Sequence, residues 1–265
     1  MLEMQKNLKL NNENTKLNQS WMRFADGLAD PGTSITELLE KFAAELEQRN
    51  KKDKALEIEK EISNRSIQEL IHFTPIENLE SILRFGFIPR KFLEYPIFDG
   101  QINFPDQDRN DGRKDCYCLS ISWPNYRMFH KKRLTMPDTI WVVLKLEPTP
   151  IINFECFFYN TNAATLAGRK SGDGQLTDMF SNIELRKKLQ LEDRFTTDPQ
   201  AEVLSSSRIP PEFIIEMSIE KNSDEIKDIK RRLYDLGLVK EPNKFKTDDQ
   251  YFRPREDYEY WRTSC

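Results

Sequence analysis

Histidine is almost missing from this chain. Its 265 residues contain two, His72 and His130, and only four cysteines, Cys116, Cys118, Cys156 and Cys265. That scarcity leaves no zinc constellation of the usual Cys/His spacing, and no metal is expected. Cys116 and Cys118, two apart, would share one face of a strand and are poorly placed to bridge each other. Reduced thiols in a cytosolic protein are the expectation. No apolar run approaches the roughly 20 residues needed to span a bilayer. The opening MLEMQKNLKLNNENTK is polar and lacks the apolar stretch of a secretory signal, which points to a cytoplasmic protein. A basic excess is missing too: 40 Lys+Arg face 44 Asp+Glu, for a net charge of −4. That balance weighs against a nucleic-acid partner unless the cations cluster locally. The chain also lacks internal repeats and low-complexity segments.

What is present describes a globular protein with a wet surface, at 38% hydrophobic and 32% charged residues. The length suffices for one sizeable core and a small extra element. Residues 1–65 are expected to form a helical extension, its first 15 or so residues loose. Asp30-Pro31-Gly32 reads as a turn, and Ser34 three residues before Glu37 as a capping box. Ile35, Leu38, Leu39, Phe42 and Leu46 then recur at helical spacing. That stripe suits packing on the main domain; a dimer or partner surface is the rival.

Residues 66–265 form the main domain. Ile71–Thr74 reads as a strand. Thr74-Pro75-Ile76-Glu77 then combines an N-cap, a proline at the first helical position and a glutamate three residues on. Leu79, Ile82 and Leu83 make the buried face of that helix, and Gly86 stops it. Polar, turn-rich loops follow at 99–115 and 160–174, and loops this long inside a domain are more often functional than idle. Strands are expected at 117–121, 139–146, 201–204 and 213–219. Helices are expected at 176–189 and at 223–236, the latter with Ile226, Ile229, Leu233 and Leu236 inward. Strands and helices mix without regular βαβ alternation, which favours α+β.

Two features carry chemistry. Gln200-Ala201-Glu202 opens an apolar strand, so Gln200 and Glu202 project to one side. A glutamate at a strand start beside a proline-set turn can face a cleft; a solvated edge carboxylate is the plain alternative. Tyr126-Arg127-Met128-Phe129-His130-Lys131-Lys132-Arg133 interleaves cations with aromatics. Such a strip can pair phosphates and stack on bases, or simply be a solvated helix face. Arg186, Lys187, Lys188 and Arg194 add a second basic cluster.

Four ordered blocks resemble the DarT family of bacterial DNA-modifying toxins. They are His72-Phe73-Thr74 with ENLESILRFGFIPR, Leu119–Phe129, Tyr159–Ala164, and Thr197–Leu204 with Ile209-Pro210-Pro211-Glu212. Together they span about residues 67–220. The resemblance implies the ADP-ribosyltransferase fold: two small sheets, mixed or antiparallel, around an NAD cleft. It implies that Glu202 is the catalytic glutamate and that His72 anchors NAD, with Thr74 helping or merely capping. It implies a loop arginine, matched best by Arg109 with Arg113 as competitor. Tyr126 and Met128, with Phe129, are expected on the nicotinamide side of the cleft or in the core. Asn162 is a polar contact or a turn former, and Asn160 likewise. Arg127, Lys131, Lys132 and Arg133 are the nucleic-acid-binding cations.

The activity so implied is transfer of ADP-ribose from NAD onto thymine or guanine of single-stranded DNA, with a macrodomain-type antitoxin as partner. The same chemistry on RNA or protein is a second reading, because fold does not settle substrate. A nucleic-acid-binding module with a dead cleft is the third.

Overall fold

The computed structural model describes residues 35–93, 112–166, 174–241 and 244–263, with the side chains of residues 35–47, 49 and 166 set aside. The expected loose start, the Asp30-Pro31-Gly32 turn, the Ser34 cap and Arg109 lie outside the described residues, as do the side chains of the stripe from Ile35 to Leu46, whose backbone is helical. Two compact units are present, Met1–Ala55 and Leu56–Cys265. Helix α1 runs Ile35–Asn64. In the second unit its final turns bury Ile58 and pack Ile62 on the core. No described helix is long and apolar enough to cross a membrane.

Among the described residues, seven strands form the second unit's sheet. They are β1 (Leu70–Pro75), β2 (Tyr117–Ile121), β3 (Trp141–Leu146), β4 (Cys156–Tyr159), β5 (Glu202–Ser205), β6 (Ile214–Ile219) and β7 (Phe245–Thr247). Their order is β4-β5-β2-β1-β3-β6-β7. Every pairing is antiparallel except β6–β7. The class is α+β, as the irregular alternation of elements requires. The two expected sheets are two wings of one ladder. β1 pairs with β3 along all six of its residues, but with β2 only at Leu70↔Ile121 and Ile71↔Ser120. Beyond that point β1 and β2 part, and the sheet is open.

Alternation along β1 and β3 explains the burial. Leu70, Val142, Leu144 and Leu146 enter the large core with Leu119, Ile121, Val203, Met217 and Ile219. Ile71, Val143 and Trp141 face the other way, into a smaller cluster with Phe129, Tyr251 and Phe252. With both faces covered, these strands read as continuous apolar runs. Short helices pack around the sheet: α2 (Leu79–Phe85), α3 (Arg90–Leu93), α4 (Tyr126–Thr135), α5 (Pro150–Asn153), α6 (Ile183–Lys188), α7 (Asp224–Asp235) and α8 (Tyr258–Thr263).

Three local expectations need correction. Thr74 does not cap a helix: β1 continues through Pro75, where a 3-10 turn begins with no side-chain cap, and Thr74 Oγ1 instead accepts from Asn78 Nδ2 at 3.0 Å. The helix expected over 176–189 is a 3-10 turn at Leu176–Phe180 followed by α6. The break is at Asn182, whose left-handed backbone (φ 63°) lets its side chain accept from the Leu185 amide as the new N-cap. On α7, Ser223 supplies the N-cap and Ile226 and Leu233 are buried, but Leu236 is 44% exposed.

Arg255 and Asp257 form a buried pair ahead of α8, with both side chains almost fully enclosed. The guanidinium also donates to the carbonyls of Thr196 (2.8 Å) and Thr197 (3.2 Å), and Asp257 accepts from Trp261 Nε1 at 2.7 Å. Arg186 holds the same turn from the other side, donating to the carbonyls of Glu192 and Phe195. A half-exposed pair such as Arg133–Glu220 contributes about 0–1 kcal/mol. Losing one partner of a buried pair costs roughly 3–5 kcal/mol. Among the described ion pairs, Arg255–Asp257 is the most enclosed, and losing a partner there would cost the most.

Gly86 ends α2 at φ 80°, and a Cβ there would lie 2.2 Å from the Ile209 carbonyl oxygen. The obstacle is backbone, held by the Phe87–Ile209 bridge, and cannot rotate away. Gly86→Ala should cost about 2 kcal/mol or more, read as a lower urea midpoint at unchanged slope.

Candidate active site

The opening between β1 and β2 is the floor of a cavity of about 660 Å³. That size falls within the range of small-molecule and cofactor sites. His72 and Thr74 reach it from β1, Tyr117, Cys118 and Ser120 from β2, and Glu202 from the first position of β5. Where the ladder fails, a side chain spans the gap: His72 Nδ1 lies 2.9 Å from the Cys118 carbonyl oxygen. An imidazole N–H donates in that contact, which leaves Nε2 as the acceptor of the neutral ring. Burial lowers the His72 pKa below its ordinary 6.5, against a smaller upward pull from the Cys118 carbonyl. The ring also meets Phe87 edge-on, 5.2 Å between centroids.

Glu202 is 3% exposed, in a strand flanked on both sides by β2 and β4. It is no solvated edge carboxylate. Oε1 accepts from Asn125 Nδ2 at 3.3 Å and Oε2 from the Ala163 amide at 3.1 Å. Both donors are themselves held. The Asn125 amide donates to Ser120 Oγ (3.2 Å), while Asn125 Oδ1 caps α4 by accepting from the Met128 amide (3.1 Å). Asn162 Oδ1 accepts from the Ala164 amide at 2.8 Å, and that turn aims the neighbouring Ala163 N–H at the carboxylate. Gln200 lines the cavity beside Glu202, its amide bonded to Asp198 Oδ1 at 2.8 Å.

Helix α4 supplies one wall. Arg127, Met128, Lys131, Lys132 and Thr135 line the cavity. Arg133 does not: a helix turns 100° per residue, and Arg133 faces away. It pairs with Glu220, donates to the Phe252 carbonyl at 2.8 Å, and lines a separate pocket. Tyr126 is buried off the cavity, its ring 6.0 Å from that of Tyr258, and burial raises its hydroxyl pKa. Phe129 packs on Phe73, Trp141 and Phe252. Asn162 lines the cavity, whereas Asn160 is exposed. Arg113 is bound to Asp115 at 2.9 Å and lies over Phe157, outside the cavity lining; the Asp115 carboxylate raises its pKa further.

Asn125 and Arg90, which also lines the cavity, are absent from the sequence-derived set. Both lie inside the motif blocks. The sequence around Asn125 signals only a helix cap, from its place after Trp123-Pro124 ahead of an aromatic–basic helix. The described cysteines, Cys116, Cys118 and Cys156, form no disulfide among the described residues.

A family model described as DarT, ssDNA thymidine ADP-ribosyltransferase, matches residues 71–252. No curated protein matches the chain. Among solved structures, Thermosipho africanus DarTG in complex with ADP-ribose is similar at 14% identity and TM-score 0.45 over 70% of this chain, which spans about half (51%) of that one. Thermus sp. 2.9 DarT in complex with NAD+ is similar at 13% identity and TM-score 0.43, over 70% of this chain and 98% of the other. The same Thermus protein in complex with ADP-ribosylated ssDNA gives 13% identity and TM-score 0.45, over 71% and 97%. With most of its length matched by that family model, this chain belongs to the DarT family of ssDNA thymidine ADP-ribosyltransferases.

Proposed function

We propose that the cavity binds NAD and transfers its ADP-ribose to thymine in single-stranded DNA, with Glu202 as the catalytic carboxylate. The observation that supports this most directly is a buried glutamate held at both oxygens and facing the same cavity as His72. Breaking the nicotinamide–ribose bond develops positive charge on the ribose. A fixed carboxylate gripping the adjacent ribose hydroxyl favours that state over the ground state. Because Asn125 and the Ala163 amide already hold the carboxylate, it need not reorganise as charge develops.

His72 offers Nε2 to a hydroxyl of the adenosine-side ribose, with Thr74 beside it. Met128 and Asn162 complete the NAD walls. Arg127, Lys131 and Lys132 meet phosphates, of the dinucleotide or of the DNA strand. A cation near the acceptor base eases loss of its N–H proton, and Arg109 is assigned that part. Arg113, held by Asp115 over Phe157, is less suited to it. The single strand fits the chemistry, because a paired base hides its edge. A macrodomain-type antitoxin is the expected partner. The target is thymine rather than guanine, in keeping with the family description.

Incubation with NAD and oligonucleotides of all four bases, as DNA and as RNA, followed by mass spectrometry, tests the reading. A mass increase of one ADP-ribose confined to thymine-containing DNA is expected. Modification of RNA alone, or of nothing, would overturn it. Glu202→Gln keeps the shape and removes the charge, and kcat should fall by ~10²-fold or more. Asn125→Ser retains a capping oxygen but loses the donor to Glu202. Its kcat should fall roughly tenfold, the worth of one hydrogen bond to a charged group, while its melting temperature falls by only a few degrees.

For His72, the sign follows from burial. Protonation converts Nε2 from acceptor to donor and charges an enclosed ring. The Kd for NAD should hold steady as pH falls to the ordinary histidine value of 6.5, then weaken below it, as the depressed folded-state pKa is reached. Fold stability should decline earlier, between 6.5 and that folded-state pKa and so above the pH at which the Kd weakens, because only the unfolded chain takes up the proton there. A Kd that weakens already between pH 8 and 7 would contradict a neutral His72.

A further inference from the structure

The chain beyond Phe252 lies outside the segment matched by the family model, yet it is built into the approach to the cavity. Arg255 and Asp257 tie it to Thr196 and Thr197, the turn that leads into Gln200 and Glu202. The clamp sets α8 beside α4: the Tyr258 ring lies 6.0 Å from that of Tyr126, which directly precedes Arg127 on the cavity wall. From Tyr258 the surface continues to Tyr260, whose ring meets Trp261 edge-on at 5.2 Å and carries Lys188 Nζ of α6 at 5.4 Å. Tyr258 is exposed, and so are Lys187 and Lys188. Three carboxylates along this strip are engaged: Asp257 by Arg255, Glu259 by Arg262 at 2.8 Å, and Asp198 by the Gln200 amide.

We propose that α8 and the C-terminal end of α6 form a stacking platform for the stretch of single-stranded DNA flanking the target base. Tyr258 and Tyr260 carry bases, and Lys187 and Lys188 meet phosphates. Aromatic faces interleaved with cations suit a single strand, since every base has a π-face and the backbone charge is uniform. Charge complementarity with a polyanion and continuity with the cavity through Arg127 and Gln200 identify the occupant as the substrate strand. Tyr126 fits the same arrangement. Its hydroxyl is buried and lacks a hydrogen-bond partner among the described residues, so its part is to hold the Tyr258 ring at the cavity edge rather than to bind the strand itself. The inference rests on the reading of the cavity given above. It adds to that reading that contacts outside the cavity set affinity for long substrates.

The test compares an oligonucleotide of about 20 nucleotides with a tetranucleotide carrying the same target thymine, since a single-strand site spans roughly 4–16 nucleotides. For Tyr258→Ala/Tyr260→Ala, KM for the long strand should rise about 30-fold or more, at 1–3 kcal/mol for each of the two lost stacks. KM for the tetranucleotide, KM for NAD and kcat should change little. Tyr258→Phe/Tyr260→Phe keeps both rings and should restore KM, which a role through the hydroxyls would not allow. Lys188→Glu, an exposed change that spares the fold, should raise KM for the long strand alone and flatten its dependence on salt. Equal effects on both lengths, or none, would overturn the platform. Failure of the unsubstituted protein to modify either length would instead overturn the reading of the cavity, and the platform with it.

Discussion

The parting of β1 from β2 is the constraint on which the site depends. A strand with a partner on each side spends its amides and carbonyls in the ladder and leaves no room between. Here the two strands meet for two residue pairs and then separate, so backbone polar groups that would have paired face an opening. Buried groups of that kind need partners. Part of the need is met by His72, whose imidazole takes the Cys118 carbonyl. The same ring is thereby set in one tautomer and turned so that its other nitrogen is available. Bridging the gap between the strands and fixing the orientation of the ring are one act.

Around that opening, position is passed along in short relays. Ser120 on β2 holds the Asn125 amide, Asn125 starts α4, and its side chain also holds Glu202 on β5. The cations of α4 are thus aimed by the residue that steadies the carboxylate. On the other side Asn162 folds a turn that delivers the Ala163 amide. Two buried arginines, Arg186 and Arg255, gather the carbonyls of the turn before β5. Each relay ends on rigid sheet, and none depends on a long side chain reaching through solvent. A proposed role in steadying charge that appears only in the transition state requires such an arrangement.

How much of this was legible beforehand varies with the distance over which each signal acts. The strand-turn-helix from Ile71 to Gly86 was readable because periodicity, a proline and a glycine agree within 16 residues. Glu202 was readable as a candidate from the motif around it, whereas its burial depends on β4, an element of four residues too short to announce itself. Asn125 could not be singled out: its link to Glu202 crosses 77 positions, and an asparagine after Trp-Pro reads locally as a helix cap, which it also is. Arg133 shares a basic strip with Lys131 and Lys132, yet helical geometry turns it toward Glu220. The helix over 176–189 was misjudged because its apolar spacing persists across Asn182 while the backbone does not. β7 joins the edge through the one parallel pairing, which no nearby turn could signal.

An acidic side chain carried by an interior strand has a consequence for how such a protein fails. Loops and termini can open and reclose without disturbing the rest, and groups they carry come and go on the timescale of fraying. Glu202 sits between two strands in a fully buried segment, so it leaves its place only when that wing of the ladder comes apart. Warming should therefore leave the proposed chemistry nearly intact up to the temperature at which the amides of β5 lose their protection from exchange, and then abolish both together.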